Sequence, residues 1–531
     1  MKNIGSQKRD SARRKALDNI PSGLNETYVR DLDKLKQNPE DNEIGHRAFT
    51  WLLYCSQPLR LSHLATAAAI NPDDPFTDDQ KLDEKENIFD FCRSMIYVNL
   101  QTNVVEFSHI SVREFFLLPK LSSDRDNPYY RSPSEGNAHI MKCCFMYLNY
   151  LASPKFHGDN FATLSHLPNR EDILPKVKEK FRDHFAFYAF YEWPTHAKRL
   201  DHPDLTSPSL EFLTDDRSFP AWRELYEVPD IRRFSWWEAD GRELSERDLW
   251  SENIVWELRS AARSDPGTPL YYATAFDLIS VVDQLLAQEH DPNELGGRDA
   301  CPLFVAIENR NLEIAELLIS KGADVNVKDP VKNDTALHRA VARKDTDSVR
   351  FLLQRGADHK VHNGRGQAPI NFAIHMDGDG EIWFSEIIGL LAQFGVDVKD
   401  IRGRTAMHTA AEDGCVLSAA LLLQHGATVD AIDDDGRTAL HIASLTGRAT
   451  IVDMLLTEDR AEIQVRDHLG YTAMHLAVRA GNTEIVEKLF AASGNPLGLS
   501  DIYYVVPPTK VFTPISQYLT KSNQFSISRR S

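Results

Sequence analysis

Seven times between about residue 268 and residue 495 the chain returns to one short pattern, and that periodicity limits what this part can fold into. The units open TPLYYA at Thr268, CPLFVA at Cys301, TALHRA at Thr335, APINFA at Ala368, TAMHTA at Thr405, TALHIA at Thr438 and TAMHLA at Thr472. Their spacings are 33, 34, 33, 37, 33 and 34 residues. The later part of each unit reads like AELLISKGADVNV (315–327) or ALLLQHGATVDA (420–431). A unit of this size cannot bury its own apolar face, so successive copies must stack.

The recurring residues have separate physical jobs. Thr335, Thr405, Thr438 and Thr472 stand where a first helix begins, and a hydroxyl there accepts a hydrogen bond from the opening turn. Pro269, Pro302 and Pro369 fall in that turn, where a missing N–H does no harm. Gly322, Gly356, Gly395 and Gly426 are expected to end the second helix in the left-handed conformation. Small residues at Ala306, Ala340, Ala410, Ala443 and Ala477 let neighbouring helices approach. Leu317–Leu318 and Leu352–Leu353 supply apolar faces. His338, His408, His441 and His475 recur once per unit, so they form a row and do not converge on a metal. Asp433–Asp434–Asp435–Gly436 does not fit a calcium loop. With Gly436 sixth, Ala431 stands first and Ile442 twelfth, where carboxylates are required. A tight turn at a hairpin tip is expected instead.

A period of 33 residues carrying T-P-L-H-x-A resembles the ankyrin repeat. The resemblance implies an α-solenoid of about seven repeats with short β-hairpin fingers, its histidines hydrogen-bonding locally and stitching repeats together. It also implies an extended surface that binds a protein partner.

The formal charge of −18 and pI near 5.5 argue against general affinity for nucleic acid or anionic membranes. No apolar run approaches the roughly 18 residues of a membrane span. Lys2, Lys8, Arg9, Arg13, Arg14 and Lys15 are followed by no apolar segment, so a secretory signal is not expected. The cluster is either a nuclear address or a solvated chain end. The six cysteines form no C-x-x-C pair, which fits a reducing compartment. A cytoplasmic location is expected, with the nucleus as the alternative.

Helices are predicted at Leu24–Leu35, Gly45–Cys55, Ser62–Ala69 and 83–94, then a hairpin of Ile96–Leu100 and Val104–Ser108 and a short helix from Ser111. Helices followed by a two-stranded wing make a winged-helix arrangement. KALDNIPSGLNETYVRDL (15–32), QPLRLSHLATAAAI (57–70) and VVEFSHISVREFF (104–116) resemble the winged-helix region of fungal NACHT-type NOD-like receptors, also known as the GPI inositol-deacylase winged helix. FAFYAFYEWPTHAKRL (185–200) resembles that family's spacer, and GTPLYYATAFDLISVVDQLL (267–286) its first repeat. The resemblance covers most of residues 15–495 and implies the sensor half of such a receptor. The family carries a nucleotide-binding NACHT module upstream. This chain begins about where that module would end, and no G-x-x-x-x-G-K-[ST] occurs in its 531 residues. A stand-alone paralogue, a decoy, a truncated fragment and a partner subunit of a full-length receptor all remain open. A winged-helix nucleic-acid-binding regulator is the second reading. Its recognition helix, 83–94, carries Asp83, Glu84, Glu86 and Asp90 against Lys85 and Arg93, the wrong balance for phosphates.

The expected architecture is therefore mainly α. A basic segment (1–20) precedes a winged-helix domain (21–121) and a helical spacer (122–262) rich in aromatics, among them Trp193, Trp222, Trp236, Trp237, Trp250 and Trp256. Ankyrin repeats (263–497) and a tail (498–531) without a fixed fold follow. No G-x-S-x-G or H-E-x-x-H motif occurs, and the pair His109/Glu114 lacks a nucleophile. No enzyme activity is expected, and no catalytic, cofactor or metal residue is assigned. The fourth unit is irregular, with 22 residues from Ala373 to Gly395 where neighbours use 16. The extra residues are predicted as a loop around 375–384, ahead of a helix beginning near Ser385. Trp383 and Phe384 on that loop, with Arg365, Arg402 and Arg404, are the expected partner contacts. In the alternative reading the two aromatics fold back and fill the gap.

With no phosphate loop, the chain is expected neither to bind nor to hydrolyse ATP or GTP. Calorimetric titration with magnesium nucleotide should give only heat of dilution. Saturable micromolar binding would refute the expectation.

Overall fold

The computed structural model describes residues 22–74, 76, 95–122, 125–152, 185–200, 207–226, 267–296, 300–376, 382–457 and 461–493. The predicted helix at 83–94, the basic N-terminal segment, the tail, and Trp236, Trp237, Trp250 and Trp256 lie outside them. The chain divides into two compact units, residues 1–291 with 295–298, and residues 292–294 with 299–531.

The first unit opens with α1 (Ser22–Leu35) and α2 (Pro39–Tyr54). Asn38 fixes where α2 starts, accepting from Glu40 N, with Pro39 in the first turn. Acidic Glu40 and Asp41 follow, on the favourable side of the helix dipole. The helix buries Phe49 and Trp51. After α3 (Leu61–Ala69), strands β1 (Ile96–Val98) and β2 (Val105–Phe107) pair antiparallel, Ile96 opposite Phe107. Helix α4 (Ile110–Phe116) and a short pair, β3 (Lys120–Ser122) with β4 (Arg125–Asp126), come next. Helices α1, α3 and α4 and the first hairpin fall close to where the residue patterns place them, whereas α2 begins at Pro39, six residues ahead of the expected Gly45.

Helix α5 (Pro133–Leu151) begins at a capping box, Ser132 accepting from Glu135 N while Glu135 accepts from Ser132 N. It packs against α6 (Ala186–Arg199). Two further helices, α7 (Ser207–Thr214) and α8 (Ser218–Tyr226), were not predicted. Among the described residues the aromatics of this region build core. Trp193 and Trp222 are buried with ring centroids 5.7 Å apart, and Phe145 stacks on Phe212 at 4.5 Å. Trp222 donates its indole N–H to the Phe190 carbonyl at 3.0 Å. Its ring meets Tyr272 of the first repeat at 5.0 Å, and that repeat, α9 (Pro269–Ala275) and α10 (Ile279–Ala287), belongs to this unit.

The second unit is a succession of helix pairs: α11 (Pro302–Glu308) with α12 (Leu312–Ser320), α13 (Ala336–Ala342) with α14 (Thr346–Gln354), and α15 (Pro369–Met376) with α16 (Ile382–Gly395). It continues through α17 (Ala406–Asp413) with α18 (Val416–Gln424), α19 (Ala439–Thr446) with α20 (Ala449–Leu456), and α21 (Ala473–Ala480) with α22 (Thr483–Ser493).

Two expectations need correction here. Gly322, Gly356 and Gly426 take the left-handed conformation at φ of 99°, 86° and 80°, but Gly395 does not and is the last helical residue of α16. The extra length of the fourth unit also lengthens a helix. Helix α16 has 14 residues against nine in α12, α14 and α18, and it begins at Ile382, not near Ser385. Buried Phe384, Ile387, Ile388 and Leu391 keep one helical phase, so the apolar stripe carries the helix back through the expected loop.

Trp222→Ala removes the centre of the aromatic cluster, and the expected loss is about 3–5 kcal/mol from the N-terminal unit. Urea unfolding followed by near-ultraviolet circular dichroism checks this. A loss under about 1 kcal/mol would show that the cluster contributes far less than a packed core does.

Candidate functional site

The repeated residues build the boundary between one repeat and the next. The Thr335 N–H donates to Nδ1 of His338 at 3.3 Å, so that nitrogen is an acceptor and Nε2 carries the proton. Nε2 then donates to the Gln367 carbonyl of the next repeat at 3.0 Å. His408 reaches the Arg437 carbonyl at 2.9 Å and His441 the Tyr471 carbonyl at 3.2 Å. The fourth repeat has Asn371 at this place. Its amide donates to the Arg404 carbonyl at 3.1 Å and makes the same link with a different side chain. These histidines are separate structural ties, and among the described residues no group of three or more His, Cys, Asp or Glu is placed to hold a metal ion.

A second recurring residue, missed in the sequence reading, shapes the hairpin fingers. Asp329, Asn363, Asp400, Asp433 and Asp467 each accept backbone N–H groups from their own finger through Oδ1. Asp400 Oδ1, for example, takes Arg402 N at 2.8 Å and Arg404 N at 2.9 Å. The signal was available, since an Asp or Asn stands five or six residues ahead of each following helix cap. Neighbouring fingers then join tip to tip through backbone bonds. Gly364 N donates to Lys332 O at 2.7 Å, Ile401 N to Gly366 O at 3.0 Å, Asp434 N to Arg402 O at 3.0 Å and His468 N to Asp435 O at 2.9 Å. Glycine suits this approach, because Gly403 stands at φ 71° and a Cβ there would meet the Asp434 backbone N at 3.0 Å. The side chains of Val331, Ile401 and Leu469 project from the fingers 71%, 63% and 70% exposed.

The expected contact residues separate into distinct environments. Arg365 and Arg402 are exposed on the fingers. Arg404 is engaged within the chain, its Nε 3.0 Å from Asp400 and its Nη1 2.5 Å from Glu412. Phe384 is fully buried in the first turn of α16, with Lys344 Nζ 5.2 Å from its ring centroid, so it offers no surface to a partner. Trp383 lies in the same turn, and its side chain is outside the described residues. The expected loop therefore does not present Phe384.

In the first unit His109 caps α4, accepting from Ser111 N at 3.2 Å, so its place beside Glu114 follows from helix capping. A buried chain of Ser56, Tyr188, His196 and Asn137 holds α2, α5 and α6 together. Ser56 N donates to the Tyr188 hydroxyl at 3.0 Å, that hydroxyl meets His196 Nε2 at 2.8 Å, and His196 Nδ1 meets Asn137 Oδ1 at 2.7 Å. Burial, then Arg199, holds the His196 imidazole down to about 3, so it stays neutral.

Residues 251–498 match the family model for ankyrin repeats in overlapping stretches at 251–329, 270–363, 337–433, 382–467 and 430–498. The chain carries ankyrin repeats. It is 29% identical over 221 residues to a palmitoyltransferase, AKR1, of Lachancea kluyveri, covering 40% of this chain and 29% of that protein. It is 33% identical over 153 residues to the nuclear factor NF-kappa-B p105 subunit of Gallus gallus, covering 28% of this chain and 15% of that one. It is 33% identical over 181 residues to the human ankyrin repeat and SOCS box protein 6, covering 32% of this chain and 41% of that one. The chain thus spans between 15% and 41% of the length of these relatives. Among solved structures it matches the ankyrin repeat domain of Bcl-3 at 25% identity, covering 43% of this chain and 99% of that one with a TM-score of 0.38.

Burial holds the His338 imidazole down to about 4 and pushes His408 and His441 below the ordinary 6.5. The unfolded chain protonates near 6.5 while the folded array resists. Stability is therefore complete above about pH 6.5 and falls as the pH drops toward 4, with His338 alone contributing on the order of 3 kcal/mol. His338→Asn, copying the boundary residue of the fourth repeat, should lose the half of the capping box that the imidazole supplies, at a cost of about 1 kcal/mol at neutral pH, and flatten the acid limb. Urea midpoints of both proteins between about pH 7.5 and 5 test this. An acid slope identical to that of the unaltered chain would contradict it.

Proposed function

We propose that this chain is a non-enzymatic scaffold or sensor that binds a protein partner through its ankyrin stack, along the row of finger tips. The observation that carries the reading is the tip-to-tip hydrogen bonding beneath exposed Val331, Ile401 and Leu469. Those bonds fix the backbone before a partner arrives, which lowers the ordering cost of binding. Arg365 and Arg402 lie among the aliphatic tips, and mixed apolar and arginine surfaces are the usual material of binding hot spots.

The N-terminal region we read as a winged helix within the sensor half of a NACHT-type receptor. Helices α1 to α4, the β1–β2 hairpin and the motif VVEFSHISVREFF support that assignment. The charge of −18 weighs against a nucleic-acid partner. A reducing cytoplasmic or nuclear location is supported by Cys55, Cys143, Cys144, Cys301 and Cys415, which form no disulfide among the described residues. No helix among the described residues is long and apolar enough to cross a membrane.

The test combines Val331→Asp, Ile401→Asp and Leu469→Asp in the full chain. Proteins recovered with the unaltered chain from its own cells are identified, purified and titrated against both forms. At least a tenfold weaker affinity with an unchanged melting temperature is expected, since two or three exposed anchors contribute on the order of 2 kcal/mol or more. Equal affinity of both forms for every purified partner would sink the finger-tip reading.

A further inference from the structure

A cavity of about 560 Å³ opens in the N-terminal unit where α2, the segment after α3 and the first turns of α5 meet. Arg47 comes to it from α2, Arg131 from just ahead of α5, and Lys142 from α5 itself. Glu43, Asp73 and Glu135 bring an equal number of carboxylates. The two arginines stand deeper than the carboxylates, while Lys142 is exposed with them. The Arg47 side chain is 14% exposed, whereas its nearest carboxylate, Glu43 at 3.7 Å, is 71% exposed. Asp73 is exposed, and Glu135 is committed to the capping box of α5, accepting from Ser132 N and Oγ at 2.8 Å.

Arg47 is held in place, and Arg131 is left only partly satisfied. Arg47 Nε donates to the Ala68 carbonyl at 2.6 Å, which anchors the side chain. Among the described residues, Arg131 makes one hydrogen bond, Nη2 to His46 Nδ1 at 3.5 Å, and its buried Nε has no partner. His46 must accept there, so it is neutral and its Nε2 donates to the Pro128 carbonyl at 3.0 Å. The local field has a definite sign. Burial and then Arg131 and Arg47 push the His46 imidazole down, and burial with the same arginines and Lys142 holds His139 to about 3. The deeper charges, Arg47 and Arg131, are therefore cationic, and the exposed rim carries the three carboxylates together with Lys142.

We infer that this cavity binds a phosphorylated polyol, such as a sugar phosphate or an inositol phosphate. Arg47, Arg131 and Lys142 hold the phosphate, because guanidinium groups match phosphate oxygens in charge and in fork geometry. The exposed rim carboxylates of Glu43 and Asp73 take the hydroxyls. Histidine is the one aromatic-ring residue in the lining, so a nucleobase would find no broad stacking plate. The volume suits a single phosphorylated ring.

The full chain is titrated with glucose 6-phosphate, with inositol trisphosphate, with unphosphorylated glucose, and with vesicles carrying a phosphoinositide. Saturable binding of either soluble phosphate identifies a free ligand, and vesicle binding without it identifies a lipid headgroup; both support the inference. Arg131→Gln should weaken binding roughly tenfold or more, and Lys142→Gln roughly threefold, both without changing the melting temperature. Lys142 is exposed, so its variant reads the site even if Arg131→Gln destabilises the fold. Glucose binding as tightly as its phosphate, no binding by any phosphorylated probe, or binding indifferent to both substitutions would overturn it.

Discussion

The second unit depends on one interaction, a buried side chain that donates a hydrogen bond to the backbone carbonyl of the next repeat. Without it, that carbonyl would be taken out of water with no partner, at a cost of about 1–3 kcal/mol per boundary. His338, His408 and His441 make the bond with a neutral ring, and the same ring accepts the N–H of the threonine that starts its helix. One imidazole thus settles where a helix begins and where the neighbouring repeat sits. A protonated ring has no acceptor for the threonine N–H, so the neutral state and the geometry require each other.

The fourth repeat shows which parts of this arrangement are chemical and which are only customary. Asn371 keeps the boundary bond with a shorter amide. Its helix has Ala368 in the capping place, so the lost cap and the lost acceptor go together. The shortened hairpin after α16 is bridged by Asp397, whose carboxylate accepts Thr428 N at 3.0 Å and the Thr428 hydroxyl at 2.5 Å. Earlier repeats use an asparagine for the same purpose, as when Asn326 Oδ1 accepts Asp358 N at 2.7 Å. The constraint is satisfaction of a particular backbone group, and several residue types meet it.

Much of this was legible in the sequence. Threonine caps, helix-opening prolines and paired leucines have local causes, so their spacing alone located the helices. Gly322, Gly356 and Gly426 read correctly for that reason, while Gly395 misled because the longer α16 runs through it. Left-handed turns at Arg310 and Lys344 were invisible, since nothing in those side chains marks a conformation that later repeats give to Gly414, Gly447 and Gly481. Phe384 read as a loop aromatic because a repeat-length argument counts residues and does not follow helical phase. The cationic cavity was hidden for a different reason. Arg47 and Arg131 are 84 residues apart, and only the packing of α2 against α5 brings them together.

The same accounting favours the proposal that the finger tips take part in recognition. Along the array the boundary histidines, the finger aspartates and the helix-capping threonines have their polar atoms engaged inside the stack. A partner that used those groups would first have to break a bond that holds two repeats together. At the tips the backbone is already paired between fingers, but the side chains of Val331, Ile401 and Leu469 are not needed for that pairing. At the Ile401 position this freedom is visible between fingers, since Gly364, Ile401, Asp434 and His468 each donate the backbone bond to the finger before. A scaffold whose stability resides in the backbone ties and whose specificity resides in untied side chains can alter its partner without altering its fold.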